Sequence, residues 1–233
     1  MHAEDRIIHF SAELIHRPIE HKKDVLRKLY FDLSQVRSAA YDSTDFTAPM
    51  QTRFYSRRGK KTQSVAVFLP DRVVLIEEWA DITVSEFIDR VREVGGRMMS
   101  ICGIDRFMAH TATFRSTFAL SYYNDARTFL MDCACAQAGK IEPFFQRPIA
   151  TAGLRFVLPE TNENPGILNV LIESFRHDTR EIFVEVKGIF AKHPVAPDEM
   201  DDVAHNIRFV RSFITDHIFP YVDQFDQPRD VFS

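Results

Sequence analysis

Residues 72–98 read RVVLIEEWADITVSEFIDRVREVGGRM, and the change of period inside this stretch decides the fold. Residues 72–79 form an apolar run with loose alternation, the pattern of a strand in a sheet interior. Thr83 then stands three residues before Glu86. That is the spacing of a capping box, in which each side chain satisfies a free backbone N–H at a helix start. Beyond it Phe87, Ile88, Val91, Val94 and Met98 recur at helical spacing and mark one buried stripe. Gly95-Gly96 either ends this helix early or kinks it.

Strands are expected on both sides of this unit. Residues 106–120 alternate strongly, with Met108, His110, Ala112, Phe114, Ser116 and Phe118 on one face and Thr111, Thr113, Arg115 and Thr117 on the other. Residues 6–14 read as an opening strand closed by Pro18, and 19–36 as a helix carrying Val25, Leu26, Leu29, Leu33 and Val36. Residues 43–56 and 62–69 read as strands joined by the basic turn SRRGKK. The order strand, helix, two strands, helix, strand is that of a ferredoxin-like βαββαβ unit over residues 1–121.

A connecting helix and a loop with Gly139, Pro143 and Pro148 fill 122–148. After it come a strand at 152–158, a hairpin over 167–190 turning at His177-Asp178-Thr179, and a long helix from Asp198 to Val222. The expectation is an α+β chain of two packed sheet-and-helix halves. The second half, 149–225, is a β-hairpin layer closed by that helix, and 226–233 is a polar, loose tail.

Composition bounds the function. The net charge of −4 argues against attraction of the whole surface to nucleic acid or membrane. No run approaches the ~18 apolar residues of a membrane span, and the opening MHAEDR has no apolar run after a basic segment. Three cysteines are too few and odd for a disulfide framework. A cytoplasmic protein is expected. The 21 phenylalanines are expected to fill sheet faces backed by amphipathic helices, leaving no polar residues gathered for catalysis.

Four sets of residues merit a chemical reading. Arg53, Tyr55, Arg57, Arg58, Lys60 and Lys61 lie within nine residues, with Phe54 interleaved; cations on a hairpin tip neutralise phosphates while a ring stacks on a base. The same cations equally keep a sheet edge from pairing with another chain. Asp198, Asp201, Asp202 and His205 have metal-ligand spacing on a helix, yet carboxylates at a helix start are also what the macrodipole favours. Cys133-Ala-Cys135 lacks the second pair that zinc ligation needs and reads as small buried thiols. Among the histidines, His9 and His110 are the candidate bases, although His110 on an apolar face reads as a core residue with a satisfied ring nitrogen, and His177 as merely exposed. No catalytic residue, metal or cofactor is assigned.

Three stretches carry a resemblance: EEWADITVSEFIDRV at 77–91, within the strand and helix start of 74–94; the hairpin 168–190; and the closing helix with Val203-Ala204-His205 and Phe213-Ile214-Thr215. In this layout the chain resembles a sporadically distributed, highly divergent family of bacterial and archaeal proteins without assigned activity. Residues 110–118, HTATFRSTF, depart from the Arg-aromatic-Asn strand motif of that family. The resemblance implies a fold and brings no site residues. Three functions stay open: a non-catalytic binding or assembly protein partnered by itself or another protein, an RNA-binding protein or metal-independent ribonuclease gripping phosphates through the 53–61 turn, or a metal-dependent hydrolase centred on Asp202 and His205.

Overall fold

A computed structural model describes residues 6–48, 50–58, 61–79, 82–136 and 139–228. Along the first half run β1 (Arg6–Ile15), α1 (Lys23–Ser34), β2 (Ser43–Asp45), β3 (Thr52–Arg58), β4 (Thr62–Leu69), β5 (Arg72–Glu78), α2 (Val84–Cys102) and β6 (Ala109–Ala119). The connection holds α3 (Ala126–Phe129), a π-helical turn and α4 (Glu142–Phe145). Then come β7 (Gly153–Leu158), β8 (Ile167–Ser174), β9 (Glu181–Phe190) and α5 (Met200–Phe213), which continues through a π-helical turn into α6 (Phe219–Asp223).

Among the described residues nine strands form one antiparallel sheet in the order β2-β3-β4-β5-β1-β6-β9-β8-β7. The two expected halves are therefore joined edge to edge. β6 pairs with β9 from His110↔Phe190 to Ala119↔Glu181, and the sheet runs through without a break.

The helices cover one face. Leu26, Leu29 and Leu33 of α1, the Phe87–Met98 stripe of α2, and Val203, Ile207 and Val210 of α5 pack with Phe10, Phe54, Phe68, Phe114, Val170 and Val184 in a single core. Burial of each such side chain contributes about 1.5–3 kcal/mol. The capping box starts α2 as its spacing requires: Thr83 Oγ1 accepts from Glu86 N, and Glu86 accepts from Thr83 N at 2.7 Å. Gly95 does not end the helix, which runs on to Cys102. A Cβ there would lie 2.6 Å from Met200 Cε and 3.0 Å from Leu14 Cδ1, so glycine lets α2 approach α5 and β1. Gly103, in the left-handed conformation at φ 71°, ends it.

Three expectations need correction. The strand expected over 43–56 breaks after Asp45, whose carboxylate accepts from Thr47 N at 2.8 Å and turns the chain. The connecting helix, expected over about 124–138, is shorter: α3 gives way to the π-helical turn Leu130–Ala134. Asp226 is buried rather than loose, accepting from Ser121 N at 2.6 Å and Tyr122 N at 3.0 Å. Among the described residues, no helix is long and apolar enough to cross a membrane.

Candidate functional site

The face of the sheet opposite the helices carries polar rows. Cross-strand partners share a face, so the register Arg57↔Gln63↔Glu78↔His9↔Arg115↔Glu185 traces a belt across β3, β4, β5, β1, β6 and β9. A register shift between Ile7 and His9 resets the alternation of β1, and Arg6 opposite Thr117 joins the same face. Glu13 sits in a neighbouring row between Arg72 at 3.3 Å and Lys187 at 3.4 Å. Packing absorbs many of the phenylalanines, although Phe31, Phe145 and Phe156 stay exposed, and the open face leaves histidines, cations and carboxylates gathered, contrary to the expectation that no polar residues would be.

At one end of this face two turns converge on a cleft of about 860 Å³. Arg57 comes from the end of β3 and Lys61 from just before β4, and the β8–β9 turn brings His177 and Asp178; Trp79 and Glu181 complete its walls together with Arg6 and Glu78. Trp79 follows β5 with φ 48°, a conformation that costs a bulky residue roughly 1–3 kcal/mol. Its backbone is held on both sides: Trp79 N donates to Ile8 O, and the Thr62 hydroxyl donates to Trp79 O at 3.1 Å. Arg6 and Lys61 each lie over the indole, 5.2 and 5.1 Å from its centre.

The basic segment is thus divided. Arg57 and Lys61 line the cleft, and Tyr55 lies under the Arg57 guanidinium at 5.5 Å. Arg53 stands four residues back along β3 opposite Asp45 and does not line it. Lys60 and the Arg58 side chain fall outside the described residues. His177, read from sequence as merely exposed, belongs to the cleft, its ring 5.2 Å from that of Phe175.

His9 lies in the belt with Nδ1 3.9 Å from Glu78 and lacking a hydrogen-bond partner. Burial and the Arg115 charge, outweighing Glu78 and Glu185, bring its pKa down to about 4. His110 is on the helix side, stacked on Phe190 with ring centres 5.0 Å apart. Its Nε2 is hydrogen bonded to the Asn206 side chain at 3.1 Å, while Nδ1 has no partner. His110 is thus a core residue with one satisfied ring nitrogen, as expected, and burial again lowers the pKa to about 4.

A second cavity, of about 240 Å³, gathers His110, His193, His205, Asp202 and Asn206. Lys192 and Glu160, 3.0 Å apart, close one side. Asp201 turns away to pair with Arg92. Among the described residues no three His, Cys, Asp or Glu side chains are placed to hold one metal ion. The cysteines are half-buried rather than buried, and Cys133 Sγ lies 2.8 Å from the Tyr123 hydroxyl. No protein-family model matches this chain, and no curated protein matches it.

Proposed function

We propose that this protein is a non-catalytic binding and assembly module that pairs with a second copy of itself through β7. The observation that carries the reading is the character of that strand. Among the described residues β7 is the last strand of the sheet and pairs only with β8. Phe156, Val157 and Leu158 are exposed on it, and Ile167 is exposed beside them at the start of β8. Successive residues point to opposite faces, so both sides of this edge are apolar, and the only charge in GLRFVL is Arg155.

An edge strand presents a row of unpaired N–H and C=O groups, and natural sheets blunt it with charges, proline or very short length. The opposite edge follows that practice: β2 is three residues, Ser-Thr-Asp. β7 does not. Antiparallel pairing about a two-fold axis uses the same patch on both copies, the commonest symmetry of homo-oligomers. Strand addition of this kind also suits an assembly role better than a catalytic one.

The arrangement of β4-β5-β1-β6 with α1 and α2 on one face supports a ferredoxin-like reading of the first half, with β2 and β3 added outside β4. That unit hosts many unrelated activities, so the edge carries more functional weight than the fold. The test is size-exclusion chromatography with light scattering. Wild type is expected as a dimer, and Phe156→Lys with Val157→Lys as a monomer of unchanged circular dichroism. A wild-type monomer at every concentration would sink the reading.

A second reading, RNA binding, is favoured by the meeting of Arg57 and Lys61 with Trp79. Weighing against it, Glu78, Asp178 and Glu181 line the same cleft, whereas strand binding relies on many phosphate contacts. Filter binding of RNA at low and high salt separates the readings. Salt-sensitive retention, lost when Arg57, Arg58, Lys60 and Lys61 are all changed to Ala, would favour RNA; no retention at low salt would remove it.

A further inference from the structure

We propose that the cleft between the two turns binds a phosphomonoester carried on a planar ring, the chemistry of a nucleoside monophosphate. The proposal is independent of pairing through β7 and rests on which charges in the cleft are already engaged. Its carboxylates are: Glu181 holds Arg6 at 3.3 Å, Glu78 accepts from the Gln63 side chain, and Asp178 accepts from Arg180 N at 2.9 Å. Arg57 and Lys61 are not. Among the described residues neither has a carboxylate within ion-pair distance, and each rests on a ring, Tyr55 and Trp79 respectively.

Arg57 and Lys61 are therefore the two cations without an ionic partner among the described residues, on one wall of a cleft whose cations (Arg6, Arg57, Lys61) and carboxylates (Glu78, Asp178, Glu181) are equal in number. A phosphomonoester carries about −1.5 to −2 at neutral pH with three acceptor oxygens, which matches two cations, whereas a nucleic-acid strand needs many more. The remaining wall is aromatic: the rings of Phe175 and His177 line it with Trp79, whose indole carries Arg6 and Lys61. The volume of about 860 Å³ lies within the range of small-molecule sites, about 300–1,000 Å³. Trp79 supplies the independent sign. A bulky residue held at φ 48° by contacts from β1 and β4 is strain of the kind that gathers at ligand clamps.

The chain has one tryptophan, so its fluorescence reports on this cleft directly. The full chain is titrated with adenosine 5′-monophosphate, adenosine, inorganic phosphate and a single-stranded oligoribonucleotide, with calorimetry alongside. The monophosphate is expected to give a saturable, salt-sensitive change, adenosine and phosphate weaker ones, and Arg57→Ala with Lys61→Ala a loss of affinity of about tenfold or more. The β7 variant Val157→Lys is expected to bind as wild type does, which keeps this result apart from the dimer test. The proposal is overturned by no response to the monophosphate in either measurement, by equal binding of adenosine, or by undiminished binding in the double variant. Oligoribonucleotide binding that the monophosphate fails to compete would replace it with the RNA reading.

Discussion

Glu77 of β5 and Arg90 of α2 form an ion pair sealed between sheet and helix, with 1% of the carboxylate side chain and 9% of the guanidinium side chain exposed. Neither charge is left to its partner alone. Ser64 Oγ of β4 donates to Glu77, and Arg90 Nε donates to Ser38 O at 2.9 Å. The guanidinium also lies 5.5 Å from the centre of the Tyr41 ring. Burial, offset in part by Arg90, pushes the Tyr41 hydroxyl pKa well above its ordinary range. Through these bonds one buried pair ties α2, β4, β5 and the segment before β2 together.

Removing one partner of a buried pair leaves an uncompensated charge, at a cost of about 3–5 kcal/mol, whereas replacing both with apolar groups costs far less. Glu77→Leu is therefore expected to lower stability by about that amount in urea denaturation, and Glu77→Leu with Arg90→Met by much less than the sum of the two single changes. Additive losses would show that the pair acts as two unrelated side chains.

His9 and His110 predict a pH dependence. Both have native pKa values lowered from 6.5 to about 4, chiefly by burial. Above pH 6.5 neither the native nor the unfolded chain protonates them appreciably. Between 6.5 and about 4 the unfolded chain takes up protons that the native chain refuses. Stability is thus fully present above 6.5 and is lost as pH falls toward 4. The loss is on the order of 1–3 kcal/mol for His110. Urea midpoints at about pH 7 and about pH 5 are expected to separate in wild type and to separate less in His110→Phe. An unchanged gap in that variant would assign the dependence to other groups.

Much of the fold was legible because it is written in local period and local bonds. Thr83 and Glu86 marked the start of α2, the alternation of 106–120 marked β6, and His177-Asp178-Thr179 marked the β8–β9 turn. The joining of β6 to β9 was not legible. Each strand alternates on its own, and nothing local to Phe114 says that Val186 is its partner. The break after Asp45 was within reach, since Asp-x-Thr followed by Pro49 is turn chemistry.

The cleft escaped for the same reason as the β6–β9 pairing. Arg57 and Lys61 read as a hairpin tip, either a phosphate grip or a solvated turn, and His177 as merely exposed; only the joining of β6 to β9 brings them to one end of one face. The strain at Trp79 left no trace either, because a positive φ at tryptophan runs against residue preference rather than with it. The apolar edge was partly visible. Phe156, Val157 and Leu158 read as strand residues, but their exposure depends on β7 having no outer neighbour.

Asp226 offers a last test, because its side chain joins segments about a hundred residues apart by accepting from backbone N–H groups. Its two carboxylate oxygens take the N–H groups of Ser121 and Tyr122, where the chain leaves β6, and the residue itself is buried. Asp226→Ala leaves both donors without their acceptor, and each bond to a charged group contributes about 1.5–3 kcal/mol. Asp226→Asn keeps one acceptor oxygen and is expected to recover part of the loss. The specific readout is amide hydrogen exchange. Ser121 and Tyr122 should exchange faster in Asp226→Ala, with Asp226→Asn between it and wild type, while the β6 amides opposite β9 keep their protection. Uniform acceleration across β6 would instead mean that Asp226 supports the sheet as a whole, and unchanged exchange would mean that water replaces its carboxylate without cost.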